Sequence, residues 1–219
     1  MDTSNQSIEK PMQMDALRLL GGRLCLDFAN TVDPRHGNHS CEYLTSYPDL
    51  VAWGQHAGVL KDNEAQHLLM EAARRALKAT ATFKRSIALR EAIYRVFFAV
   101  TSGAKPEASD LDSLVGAHKD AITHSRLVAT VSGFEWAWVE DESALERMLW
   151  PVARSAAELL TSAELGRVKE CHACSWLFLD TSKNGRRRWC SMEGCGSRAK
   201  MRRQYARKRS ASSQNSLSS

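Results

Sequence analysis

No stretch of this 219-residue sequence reaches the roughly 18 uncharged apolar residues that a membrane span needs. Its opening, "MDTSNQSIEKPMQMDALRLL", mixes acidic with polar residues and has no uninterrupted apolar run, so it reads as neither a secretory signal nor a transit peptide. Internal repeats and collagen-like composition are absent, and "LGG" at 20–22 is too short to cradle a phosphate. No nucleophile stands with a base at a recognisable spacing, which argues against an enzyme. These absences point to a cytoplasmic protein with no membrane partner. In that compartment thiols stay reduced, and clustered cysteines bind metal more often than they form disulfides.

What the sequence has is an uneven distribution of charge. Residues 166–209 hold 13 of the 30 Lys and Arg but only three of the 25 acids (Glu170, Asp180 and Glu193), while the rest of the chain is net acidic. Folding does not require such a division; a polyanionic partner for the basic part explains it.

Apolar spacing makes the larger part helical. Leu24, Phe28 and Val32 suit a buried helix ending before Pro34, and "DPRHGNHS" is a loop. Ser46, Pro48 and Asp49 mark a helix start that Gly58 stops, and Asp62 could cap the next helix. Two helices are expected from Glu64 to about Val100, broken near "TATF", and another from Ser109. "RLVATVSGFEWAWVED" alternates around Ser132 and Gly133 like a β-hairpin. Pro151 inside "ESALERMLWPVARSAAELLTS" predicts a kink near Met148 or two abutting helices.

Four of the six cysteines lie at 171, 174, 190 and 195, a C-x2-C and a C-x4-C separated by 15 residues. A C-x2-C knuckle lets two thiolates converge on one ion, and a spacer that folds back brings the other pair to close a tetrahedron. "SWLFLDTSKNGRRRWC" suits that return, with a strand from Trp176 to Leu179, a turn at Asn184-Gly185 and a second strand through Trp189 to Cys190. A module this small has little core, so zinc would supply much of its folding free energy. Four thiolates leave no open position for catalysis and make His172 a bystander. Cys25 reads as core. The "HGNHSC" stretch, with His36, His39 and Cys41, lacks a fourth ligand and reads as a polar loop.

Downstream, "GCGSRAKMRRQYARKR" has good helix formers and no proline. On a helical wheel Met201 and Tyr205 form its only bulky apolar stripe, expected to dock on the hairpin tryptophans, with Lys200, Arg203 and Arg207 opposite and Arg198, Arg202 and Arg209 flanking. A cationic helix held by a zinc-stapled hairpin suits phosphate contact and a major groove, and Arg186, Arg187 and Arg188 would extend the footprint. Residues 210–219, "SASSQNSLSS", have nothing to bury and read as a disordered tail.

"CHAC" followed by "WLFLDTSKNGRRRWCSMEGCGSRAKMRRQYARKR" resembles the CGNR zinc-finger family, and "LGGRLCLDFANTVDPR" with "LWPVARSAAELL" resembles the ABATE domain that precedes that finger. The resemblance implies a bacterial transcription regulator that binds double-stranded DNA and is nucleoid-associated when bound. It also implies one structural zinc on Cys171, Cys174, Cys190 and Cys195. Where the family motif has Asn, this chain has Ser197, which can make only part of a bidentate base contact.

The expected architecture is mainly α: a flexible start (1–14), a helical regulatory domain with a small β-hairpin (15–165), a treble-clef-like zinc-bound hairpin and helix (166–209), and the tail. Asp27, Asn30, Thr31 and Arg35 are candidates for a small-molecule effector pocket, although an internal polar network with a C-terminal cap is the stronger reading. A homodimer is a further expectation. An RNA-binding module using Trp176 and Trp189 as stacking platforms is the alternative, and an enzyme in the larger domain the third.

Overall fold

A computed structural model describes residues 14–35, 40–139, 141 and 143–215, with backbone alone for 208–215. His36 and His39, most of the expected flexible start and the last four residues of the expected tail lie outside the described residues. A short helix, α1 (Leu24–Ala29), leads into a two-residue ribbon, β1 (Val32–Asp33) and β2 (Cys41–Glu42). Four helices follow: α2 (Tyr47–His56), α3 (Asp62–Arg74), α4 (Ala76–Thr101) and α5 (Ala108–Thr123). A hairpin of β3 (Ser125–Thr130) and β4 (Gly133–Trp138) then precedes α6 (Leu149–Leu160). The C-terminal part is a second hairpin, β5 (Val168–Glu170) and β6 (Leu177–Leu179), and a long helix, α7 (Ser197–Asn215).

Cys25, Leu26, Phe28 and Ala29 of α1 are buried, and α1 packs against α4, α6 and β6. The Phe28 ring meets Trp53 of α2 at 4.8 Å. Leu50, Leu68, Ile93, Phe97 and Met148 close around them in a core that continues without interruption into Leu177, Phe178 and Leu179. The seam uses "LGG". Gly21 donates its N–H to Asp27 and accepts that of Leu179. A Cβ on Gly21 would come within 2.7 Å of the Asp27 nitrogen, so the close approach excludes a side chain there.

The β3–β4 hairpin turns through Val131 and Ser132, in the place its alternation indicates. Ser46 caps α2, accepting the Asp49 N–H, and Gly58 stops it at φ 72°. Elsewhere tertiary contacts override the local pattern. The first helix ends at Ala29 rather than before Pro34, because the Asn30 side chain bonds out to Leu177, the Thr31 carbonyl accepts the Tyr43 N–H and Val32 enters β1.

The break expected at "TATF" falls at Arg75. Thr80 satisfies its hydroxyl on the Ala76 carbonyl and Thr82 is buried, so the threonines sit within α4 at little cost. Pro151 causes no kink: α6 begins at Leu149, which puts the proline in a first turn that needs no amide donor. The strand before Asp180 pairs upstream with β5, not with the returning chain to Cys190, which forms no strand. The basic helix also runs past Arg209 through Asn215, into the stretch read as a tail.

Candidate metal centre and nucleic-acid interface

The C-x2-C knuckle is the turn of the β5–β6 hairpin. The Cys171 N–H donates to the Trp176 carbonyl at 2.8 Å and the Ser175 N–H to the Cys171 carbonyl at 2.9 Å, with Ser175 in the left-handed region at φ 59°. Cys195 lies in one π-helical turn, Met192–Gly196, which Ser191 caps by accepting the Gly194 N–H. Asp180, buried at the end of β6, folds the intervening loop: its carboxylate accepts from the Ser182 hydroxyl and N–H, the Arg187 N–H and the Lys169 ammonium. Burial works to raise this carboxyl, but the hydrogen bonds prevail and hold it well below the usual carboxylate range.

These devices bring four buried sulfurs within 4.8 Å of one another. Cys174 to Cys190 and Cys190 to Cys195 are 3.7 Å, and Cys195 to Cys174 is 3.6 Å. The spacings are far too long for a disulfide, and all four cysteines are free. Zinc–sulfur bonds of about 2.3 Å set tetrahedral edges of about 3.8 Å, so the residues fit one zinc ion with little movement. The crowded sulfurs also compete for protons. Hydrogen bonds from Cys174 and Cys190 drive Cys171 strongly down, while Cys174 and Cys190 are driven up by their bonds to Cys171. A cation is the natural partner of such a cluster. The donor set is closed, so bound zinc there is structural. His172 is exposed and pairs with Arg188 instead.

The surrounding groups tie the centre into the rest of the chain. Arg198 donates to the Cys195 sulfur at 3.3 Å, a bond that raises its own pKa. Arg187 bonds the Cys190 carbonyl and lies over the Phe178 ring. From the helical domain, the Arg35 N–H reaches the Cys174 carbonyl at 3.0 Å and the Tyr94 hydroxyl the Ser175 carbonyl, while from the finger the Trp176 indole donates to the Val32 carbonyl. Asn30 pairs in both directions with the Leu177 backbone, at 2.8 and 2.9 Å.

The proposed pocket residues are therefore absorbed into internal contacts. Asp27 accepts from Gly21 and Asn30 holds β6. Thr31 bonds Phe28 and Arg90. Arg35 binds the Ala29 carbonyl and Glu91 and lies 4.0 Å from the Tyr94 centroid.

The basic residues separate into two groups. Arg187 and Arg198 serve the finger itself. Arg186 and Arg188 are exposed beside a groove of about 500 Å³ that also takes in Lys169, His172 and the end of α4. Lys200, Arg202, Arg203 and Arg207 are exposed on α7, and the Ser197 hydroxyl bonds back to the Met192 carbonyl at 3.2 Å. Met201 and Tyr205 do not dock: they are 51 % and 67 % exposed. The indole of Trp176 is committed to Val32, and Trp189 packs on the core, so neither tryptophan offers the stripe a surface. Asp180 went unrecognised in sequence, and the seam partners of Asn30 and "LGG" were not legible there because they are remote; only the dense turn chemistry around 180–185 hinted at Asp180.

Residues 22–163 match the ABATE family, described as "putative stress-induced transcription regulator". The chain belongs to the ABATE family. Residues 167–208 match the CGNR zinc finger, so the four-cysteine centre is that finger's metal site. Neither family is described as an enzyme. Among curated proteins none matches the chain. No helix among the described residues is long and apolar enough to cross a membrane.

Proposed function

We propose that this ABATE protein is a transcription regulator that grips double-stranded DNA through α7, with the zinc centre anchoring the start of that helix. The observation that carries the reading is α7 itself. It spans 19 residues, about 28 Å at 1.5 Å per residue, with no acidic side chain and with its described side chains from Lys200 to Arg207 exposed. Lys200, Arg202, Arg203 and Arg207 supply phosphate contacts, and Arg186 and Arg188 extend them to a neighbouring backbone. Arg187 and Arg198 act one step back, holding the cysteine loops in place. Ser197, bonded to Met192, stands where the helix leaves the finger, so at most its hydroxyl is offered to a base.

The RNA reading needs exposed aromatic platforms for unpaired bases. Trp176 is buried and Trp189 half-buried under Arg188, which favours the duplex. Competition against a labelled duplex separates the two. Unlabelled duplex DNA should displace the zinc-loaded protein at concentrations about tenfold or more below those of a structured RNA hairpin, a difference of about 1.4 kcal/mol. Equal or stronger competition by RNA would reverse the assignment.

A further inference from the structure

The pairs Leu127 with Trp136 and Ala129 with Phe134 place four apolar side chains on one face of the β3–β4 hairpin, with Trp138 next along β4. Such alternation ordinarily turns the apolar face onto a core. Here only the root of the hairpin does so, Trp138 lying 6.0 Å from Trp150. Phe134 is 74 % exposed, Leu127 56 % and Trp136 53 %. The face continues over a groove of about 300 Å³ formed with Ala121 and Ile122 of α5 and with Arg154 and Glu158 of α6. That groove shares His118 and Glu158 with a second of about 490 Å³ between α5 and α6, lined by Leu111, Val115 and Leu160 among others. His118 Nδ1 is buried there without a partner among the described residues. Among the described residues each strand of the hairpin is paired on one edge only, and an isolated two-stranded hairpin is marginal in water.

We propose that this face joins two copies of the chain in a two-fold dimer, the hairpin and α5 of one copy packing on the same surface of the other. The area fits. The exposed parts of Leu111, Val115, Ile122, Leu127, Phe134 and Trp136 amount to roughly 700 Å², close to the ~800 Å² that each partner gives a standard interface and above what monomers usually leave bare. Charge also allows a second copy. Arg154 and Glu158 on the groove wall already pair with each other at 2.6 Å, so a second copy can cover them without leaving either charge bare. Two copies of one strand meet antiparallel about such an axis, which gives the unpaired edges a natural partner. The surface lies on elements away from the finger, so the inference does not depend on what α7 binds.

Sedimentation equilibrium of the full-length zinc-loaded protein from about 1 to 100 μM, the range around a modest interface's Kd, tests it. The expected mass is twice the 24.4 kDa of the chain. Phe134→Glu and Val115→Glu should each raise the dimer Kd by about 30-fold or more. Val115 is half-exposed on a helix, where glutamate is readily accommodated, so its result does not depend on the hairpin keeping its fold. A chain that stays at 24.4 kDa throughout would overturn the proposal. So would a dimer that either folded variant leaves intact.

Discussion

The helical domain and the finger are stabilised in opposite ways, although one core runs through both. Between α1 and α6 the interior is mainly apolar side chains at helical spacing, and the guanidiniums that enter it, Arg35 and Arg90, are paired with Glu91 and Glu42. In the finger, four sulfurs and one buried carboxylate take the place of most of that core, and the excess positive charge is pushed outward onto α7 and the loop at 186–188. A segment with little to bury can still hold a fixed shape if a metal and a few directed hydrogen bonds fix its turns. Its surface is then free for charge that a self-sufficient core would not need. The finger is nevertheless docked to its neighbour, through Asn30, Arg35, Tyr94 and the continuous apolar seam at Leu177–Leu179.

Removing the metal should break the contrast most completely. Cys190→Ser is expected to take zinc from one per chain to none and to abolish hydrogen-exchange protection across residues 171–196. Protection should weaken in α1, which shares the seam, and persist in α2, α3 and α5. Metal analysis with native-state exchange reads both. Full zinc retention would refute the ligand assignment, and simultaneous loss of all helices would refute the division between the regions.

Asn30→Ala attacks the seam instead of the metal. It leaves the buried Leu177 N–H and carbonyl without their partners, at a cost of about 2–4 kcal/mol in urea unfolding. Zinc stoichiometry should be unchanged. A loss under about 0.5 kcal/mol, the range of an inert surface change, would show that the finger does not depend on this contact.

The smallest effect concerns the helical domain and pH. Burial raises the Asp27 carboxyl from 3.8 to about 6, against the lowering effects of the Gly21 N–H and the His56 charge. A raised carboxyl favours the folded state while protonated. Its stabilisation is present below about pH 4 and is lost as pH rises to about 6. Relative to Asp27→Asn, the wild type should therefore lose on the order of 2 kcal/mol between pH 4 and pH 7. Parallel stability profiles for the two proteins would contradict this.

The same contrast explains what could be read from sequence. Local signals worked where the structure obeys local rules: the Ser46 cap and Gly58 stop, the β3–β4 alternation, and the cysteine spacing that identified all four ligands. They failed where a remote partner decides. Asn30 leaves its helix for a strand 147 residues away, and β6 pairs with residues before the knuckle rather than within the spacer. The wheel of α7 correctly grouped Met201 with Tyr205, but no periodicity could reveal that both tryptophans were already committed. For the same reason the sequence did not show that Arg187 and Arg198, read as DNA contacts, also bond the cysteine loops.

The proposed role of α7 is to set its exposed cations against a nucleic-acid backbone. The most direct test is the salt dependence of duplex DNA binding by the zinc-loaded chain, compared with the Arg202→Ala, Arg203→Ala double variant by fluorescence anisotropy. Each lost phosphate contact should reduce the slope of log K against log salt by about 0.9, or roughly 1.8 for the pair, while zinc content stays the same. A slope that both proteins share would contradict that role.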